Sequence, residues 1–210
     1  MSLLRWVPHR GTLPPLPPLD RTEGTPVMLL HGLMGSPGNF ERTARGLLDL
    51  GIPAVAPLYG LRGTVRIEQS FAELVAVTGE ILVARERIDI VGHSLGGHLG
   101  LRLAHEFPGR VRTLVGVGAA FRGLPPPPNP AVRLGVGIVM GRGADDLMTR
   151  VPFEAAAPEG TRVVSLISDA DRVVPAASSE LGEVRRISGI RHEHLPGLAA
   201  DIIAALEWTP

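Results

Sequence analysis

Along this 210-residue chain a serine between glycines, then a pair of aspartates, then a pair of histidines stand in an order that suits acyl-transfer chemistry. Ser94 lies in Gly92-His93-Ser94-Leu95-Gly96-Gly97. A short β-branched run, Ile88-Asp89-Ile90-Val91, precedes it. The apolar positions Leu99, Leu101, Leu103, Ala104 and Phe107 continue it as a helix until Pro108-Gly109. Gly-rich strand-to-helix turns also serve ordinary packing, but here the motif has its required context on both sides. A turn this tight admits only glycine beside the serine backbone, so G-x-S-x-G pushes the hydroxyl out above the sheet edge as a candidate nucleophile.

A serine hydroxyl is a poor nucleophile until an imidazole takes its proton and a carboxylate orients that imidazole. Both partners are expected at the carboxyl ends of later strands. Ser168-Asp169-Ala170-Asp171-Arg172-Val173-Val174-Pro175 follows a strand expected at 162–167, and Gly189-Ile190-Arg191-His192-Glu193-His194-Leu195 follows one expected at 184–188. Asp171 is favoured over Asp169, because D-x-V-V-P places it one turn past the strand end, whereas Asp169 suits a turn cap. His192 is favoured over His194 because it follows Gly189 closely; loop geometry leaves His194 as the alternative base.

Acyl transfer also needs fixed N–H donors for the anion that the carbonyl oxygen becomes. The first strand runs into His31-Gly32-Leu33-Met34-Gly35-Ser36, where backbone amides face the ligand crevice of a parallel sheet. The amides of Leu33 and Leu95 are assigned as the oxyanion donors, Leu95 because it opens a helix whose first-turn amides are unpaired. His31 is read as bracing this loop, and Ser36, Pro37 and Asn39 as caps of the next helix. His93 is read as the variable neighbour of the nucleophile; His98 and His105 fall on a helix and His9 in the amino-terminal arm.

These residues must be positioned by a regular frame, and the pattern supplies one. Val27-Met28-Leu29-Leu30 reads as a buried strand, followed by a helix bearing Phe40, Ala44, Leu47 and Leu48 and ended by Gly51. A strand at 52–56, a helix over about 68–84, the elbow strand and helix, and a strand at 111–118 follow. Continuous apolar strands separated by helices imply a parallel sheet covered on both faces. The fold class is therefore α/β: a doubly wound, mostly parallel six-stranded sheet with helices on both faces, closed by a helix over about 198–208. Residues 1–25, centred on Leu13-Pro-Pro-Leu-Pro-Pro-Leu19, form a proline-rich arm expected to wrap the surface, and 26–210 a single domain. Within it, 119–160 breaks the rhythm as a possible small cap. Its apolar stretch Leu124 to Met140, interrupted by Gly135 and Gly137, is a candidate mobile flap or an ordinary connection with a weak helix.

Composition excludes several function classes. Arg plus Lys equals Asp plus Glu at 21 each, leaving no electrostatic footprint for nucleic acid or an anionic membrane surface. With no cysteine, thiolate metal sites and cysteine nucleophiles are out. No H-x-x-x-H pair has an acidic partner, and Val115-Gly-Val-Gly-Ala119 lacks the third glycine of a dinucleotide loop, so no metal and no cofactor is expected. No apolar run reaches the roughly 18 residues of a membrane span, and the amino terminus has no leader-like apolar stretch; the expectation is a cytoplasmic protein.

The chain resembles the α/β-hydrolase superfamily, within it the small lipase and esterase group with a reduced cap, over about 25–208. His31 to Gly35 looks like that group's oxyanion loop, Gly92 to Gly97 like its elbow, Ser168 to Asp171 like its acid turn and His192 to Leu195 like its H-x-x-L segment. Two departures stand out: Arg191 rather than glycine precedes His192, and the proline-rich arm cannot form the antiparallel amino-terminal hairpin of larger members. The resemblance implies a serine hydrolase of carboxylic esters, with Ser94, His192 and Asp171 as its triad and a small-molecule acyl ester as its substrate. An acyltransferase using the same residues, or a binding protein that kept the fold, are the alternatives.

Overall fold

The two faces of the central sheet can be read from alternate residues of its first strand. In β1 (Val27–Leu30) all four side chains are buried. Val27 and Leu29 point to one core cluster and Met28 and Leu30 to the other, as the two-residue period of a strand requires. Helices therefore cover both sides, and the strands read as unbroken apolar runs. The computed structural model describes residues 10–127, 129–149 and 155–208.

After β1 come α1 (Glu41–Asp49), β2 (Ala54–Val55), the single turn α2 (Gly60–Gly63), α3 (Ile67–Ala84), β3 (Ile88–His93), α4 (Leu95–Glu106) and β4 (Val111–Val117). Next are α5 (Pro130–Met140), α6 (Arg142–Thr149), β5 (Arg162–Ser168), α7 (Ala176–Ser179), β6 (Glu183–Ile187) and α8 (Ala199–Leu206). The strand order is β2-β1-β3-β4-β5-β6, and every pairing is parallel. Residues of α3, α4 and α6 pack on one face of this sheet and those of α1 and α8 on the other. Because all strands run the same way, the loops after β1, β3, β5 and β6 emerge at one edge, where a ligand crevice forms.

Several boundaries differ from the expected ones for local reasons. β2 shrinks to two residues behind Pro53, which has no N–H to give a ladder. β6 spans Glu183–Ile187 rather than 184–188; it is an edge strand whose residues are all at least partly exposed, so its apolar pattern is weak. α8 ends at Leu206 because Glu207 turns left-handed (φ 47°), and the Trp208 indole N–H then donates to the Thr25 carbonyl at 2.8 Å. The 119–160 region carries two helices rather than one weak one. α6 is pinned by Asp146, whose carboxylate accepts from the Arg66 guanidinium at 3.0 Å and from the Ile67 amide at 3.1 Å.

Of the proline-rich arm, residues 1–9, including His9, lie outside the described residues, as do 128 and 150–154 of the 119–160 region. From Leu13 to Leu19 the arm lays leucines onto both core clusters, and Arg85 donates to the carbonyls of Leu19 and Thr22, each at 2.5 Å.

The elbow is the least forgiving part of the fold. A Cβ on Gly96 would lie 2.1 Å from the Leu30 carbonyl oxygen, and one on Gly92 2.5 Å from both Gly96 O and Gly97 Cα. Backbone, not a movable side chain, blocks both positions. Gly96→Ala is expected to lower stability by about 3 kcal/mol, read as a lower urea midpoint with unchanged slope.

Candidate active site

Ser94 follows directly on β3 with φ 54° and ψ −118°, and α4 begins at the next residue. This is a sparsely populated backbone state for a non-glycine residue, of the kind held by surrounding structure at functional sites. Three amides hold it through the Ser94 carbonyl: Gly97 at 3.0 Å, His98 at 3.4 Å and Ala120 at 3.1 Å. The hydroxyl thus stands at the sheet edge on a rigid support.

Past β5, Asp171 accepts the amides of Val173 and Val174 on Oδ1 at 2.8 and 3.0 Å. Its Oδ2 accepts from Nδ1 of His192 at 2.7 Å. Both side chains are nearly enclosed, at 3% and 9% exposure. Burial opposes ionisation of Asp171, but the bonds from His192 and from the amides of Val174 and Val173 outweigh it and hold the carboxyl below the usual carboxylate range. The ionised form is the one the fold favours; that contribution is present above the unfolded pKa and fades as pH falls through the lowered one. With Nδ1 carrying the proton, the neutral imidazole keeps Nε2 as its acceptor.

Ser94 and His192 line one cavity of about 290 Å³, together with Leu33, Leu124, Met140 and Leu147. Among the described residues no hydrogen bond joins Ser94 to His192. Such contacts are often long before substrate binds and tighten in the reacting complex.

The competing residues sit elsewhere. Asp169 accepts from the Ser188 hydroxyl at 2.8 Å and the Gly189 amide at 2.7 Å, which makes it a brace between two loops. His194 is exposed, with its Nε2 3.2 Å from an Arg191 guanidinium nitrogen, and faces a separate shallow depression beside Arg42 and Gly197. A 3-10 turn, His192–Gly197, sends the two histidines in different directions.

The loop after β1 is braced from below. His31, wholly buried, stacks on Tyr59 with ring centroids 4.2 Å apart and donates from Nδ1 to the Gly32 carbonyl at 2.9 Å. Burial drives its pKa down to about 4 against the pull of that bond, with Arg62 adding to the fall, so the ring is neutral at ordinary pH. The Tyr59 hydroxyl donates to the His31 carbonyl. Arg62 reaches from α2 to the carbonyls of Gly35 at 3.1 Å and Met34 at 2.5 Å. Met34, Leu61 and Arg62 all have left-handed backbones, so strain gathers where the loop meets its clamp. Leu33 lies on the cavity wall, and Leu95 is the first residue of α4, where an amide has no acceptor within the helix.

Sequence reasoning did not single out Tyr59, Arg62 or His93. Tyr59 carried one signal, being the only tyrosine of the chain. Arg62 carried none, since its partners are 27 and 28 residues away. His93 was visible only as the neighbour of Ser94, yet its Nε2 lies 3.0 Å from the His192 carbonyl.

Among the described residues no group of three or more His, Asp or Glu is placed to hold a metal ion. No helix among them is long and apolar enough to cross a membrane.

Known proteins resemble this chain in sequence and in fold. A protein of Variovorax paradoxus (strain S110) named as a carbamate hydrolase is 36% identical over 105 residues, 46% of this chain and 39% of that protein. The 2-hydroxy-6-oxo-2,4-heptadienoate hydrolase of Pseudomonas putida is 40% identical over 110 residues, 48% of this chain and 39% of that one. The match therefore spans about two fifths of the length of these curated relatives. Among solved structures, the monoacylglycerol lipase of Paleococcus ferrophilus superposes with a TM-score of 0.64 at 20% identity, covering 87% of this chain and 94% of that one. With residues 25–141 matching the family model described as alpha/beta hydrolase fold, on a six-stranded parallel sheet that turns sharply at Ser94, the chain belongs to the α/β-hydrolase fold family.

Proposed function

We propose that this protein is a serine hydrolase that cleaves carboxylic esters through an acyl-serine intermediate. The observation that carries the reading is the 2.7 Å bond from His192 to Asp171 on the wall of the cavity that Ser94 also lines. In the first step the Ser94 Oγ attacks the ester carbonyl while His192 Nε2 takes its proton, and Asp171 steadies the imidazolium. The amides of Leu33 and Leu95 receive the oxyanion, each such donor being worth about 3 to 4 kcal/mol. His192 then returns the proton to the leaving alcohol, and water, activated by the same ring, releases the acid.

The cavity argues for a modest acyl group. At about 290 Å³ it sits at the small end of the ~300–1,000 Å³ common for ligand sites. Met140 at the end of α5 and Leu147 of α6 form part of its wall, so the described residues of α5 and α6, within the 119–160 region, are the cover of the acyl site in this reading, and 26–210 is proposed as a single catalytic domain. Leu134 and Ile138 of α5 stay 66% and 69% exposed on the outer side.

The purified protein is expected to take up one fluorophosphonate label, and to release p-nitrophenol from short esters more readily than from long ones. Hydroxylamine or methanol added as a competing nucleophile separates hydrolysis from acyl transfer by product analysis. Free acid as the dominant product supports the hydrolase. Dominant transfer at low acceptor concentration would replace it with an acyltransferase, and absence of any label would leave a binding protein.

A further inference from the structure

We infer that His93 is a positioning residue for His192: its imidazole N–H holds the main-chain carbonyl of the base, and its ring packs against both the base and Gly32 of the oxyanion loop. The inference rests on the reading of Ser94, His192 and Asp171 given above.

His93 Nε2 lies 3.0 Å from the His192 carbonyl oxygen. A carbonyl can only accept, so Nε2 carries the proton and donates it. In the neutral ring Nδ1 is then bare, and it is buried with no hydrogen-bond partner. Burial, with the adjoining His192 adding to it, lowers the His93 pKa to about 3, so the donor arrangement does not change across the working pH range. The buried Nε2 of His31 is likewise without a hydrogen-bond partner, so it is the bond to the His192 carbonyl that sets His93 apart; a buried polar atom left without a partner costs about 1–3 kcal/mol. An aliphatic side chain would fill the space without that cost but could not bind the carbonyl.

The ring's other neighbours are the reacting parts. Its centroid is 4.5 Å from that of His192, with the planes tilted by 39°. Gly32 also packs against the ring: a Cβ there would lie 2.9 Å from His93 Nδ1 and 3.1 Å from Ser94 Cβ. The imidazole therefore touches both the oxyanion loop and the base, and the missing side chain of Gly32 is what admits it. Since residue 93 is bonded directly to the nucleophile, its hydrogen bond ties the backbone of Ser94 to that of His192, 98 positions further along the chain. Asp171 grips the His192 ring, and His93 grips the chain from which that ring projects. An error of about 1 Å in such a placement can cost 10²-fold in rate.

The test uses His93→Gln, which carries an amide N–H near the position of the imidazole Nε2, His93→Leu, which removes the donor, and His93→Asn, whose donor falls short of the carbonyl. Two readouts are taken: kcat and KM for a short p-nitrophenyl ester, and the solvent exchange of the His192 Nδ1 proton by NMR, which needs no turnover. For His93→Leu and His93→Asn kcat is expected to fall by about 10- to 100-fold with KM within about twofold, and the proton to exchange about tenfold faster. His93→Gln should keep both within about threefold of the parent. Should Leu fail to fold, Asn supplies the comparison. Parent-like behaviour of Leu and Asn, or an equal loss in Gln, overturns the inference. If the parent protein takes no fluorophosphonate label but the exchange contrast appears, the hydrolase reading falls and the hold on His192 stands. If the parent is labelled and exchange is the same in every variant, the positioning role alone falls.

Discussion

Ser94→Ala is expected to lower kcat for a short p-nitrophenyl ester by about 10⁶-fold, the scale found when the nucleophile of a serine triad is removed. The same variant should show no mass gain with a fluorophosphonate. The substitution isolates the hydroxyl because nothing else at residue 94 depends on it: the amides of Gly97, His98 and Ala120 all bind its carbonyl. Alanine meets the same backbone strain at φ 54° that serine does, so the variant should fold with the parent's circular dichroism and urea midpoint. The residual rate should still exceed that in buffer, because the loop at Leu33 and the amide of Leu95 would continue to bind the carbonyl oxygen. Activity or labelling preserved in Ser94→Ala would move the reaction to another residue and remove the ground for the whole site.

Those features of the fold that depend on local pattern were legible in the sequence. Strands β1, β3 and β4 announce themselves as apolar runs because both faces of a parallel sheet are covered. The elbow is legible because Gly92 and Gly96 meet backbone, which no other residue type tolerates. The order Ser, Asp, His is read directly along the chain, and a sheet whose strands all run the same way brings the loops that carry these residues to one edge. What escaped depends on partners remote in sequence. The clamp from Arg62 to Met34 and Gly35 needs a left-handed turn at Leu61 and Arg62, and neither residue type favours one. The bond from His93 to His192 joins the ends of β3 and of the loop after β6, so no window along the chain contains both. D-x-V-V-P already favours Asp171 over Asp169; their partners, Ser188 and Gly189 for the exposed Asp169 and Val173, Val174 and His192 for the enclosed Asp171, are visible only in the fold.

His192→Ala and His194→Ala should differ by several orders of magnitude in kcat. The two side chains are two residues apart, and sequence alone leaves either as the base. His192 is tied to Asp171 at 2.7 Å and walls the Ser94 cavity, whereas His194 is exposed and engaged with Arg191. Removing the base should cost about as much as removing the nucleophile, roughly 10⁶ in kcat, because the two act as one unit and their losses do not add. The Ser94→Ala/His192→Ala double variant should therefore be no slower than either single one, and His194→Ala should stay within about twofold of the parent. If instead His194→Ala were the slow variant, the 3-10 turn at 192–197 would have to unwind during turnover to bring residue 194 to Ser94. A burial-driven preference for His192 would then be a property of the resting enzyme only. Steady-state kinetics on the two single variants and the double one, with fluorophosphonate labelling rates alongside, decides between these outcomes.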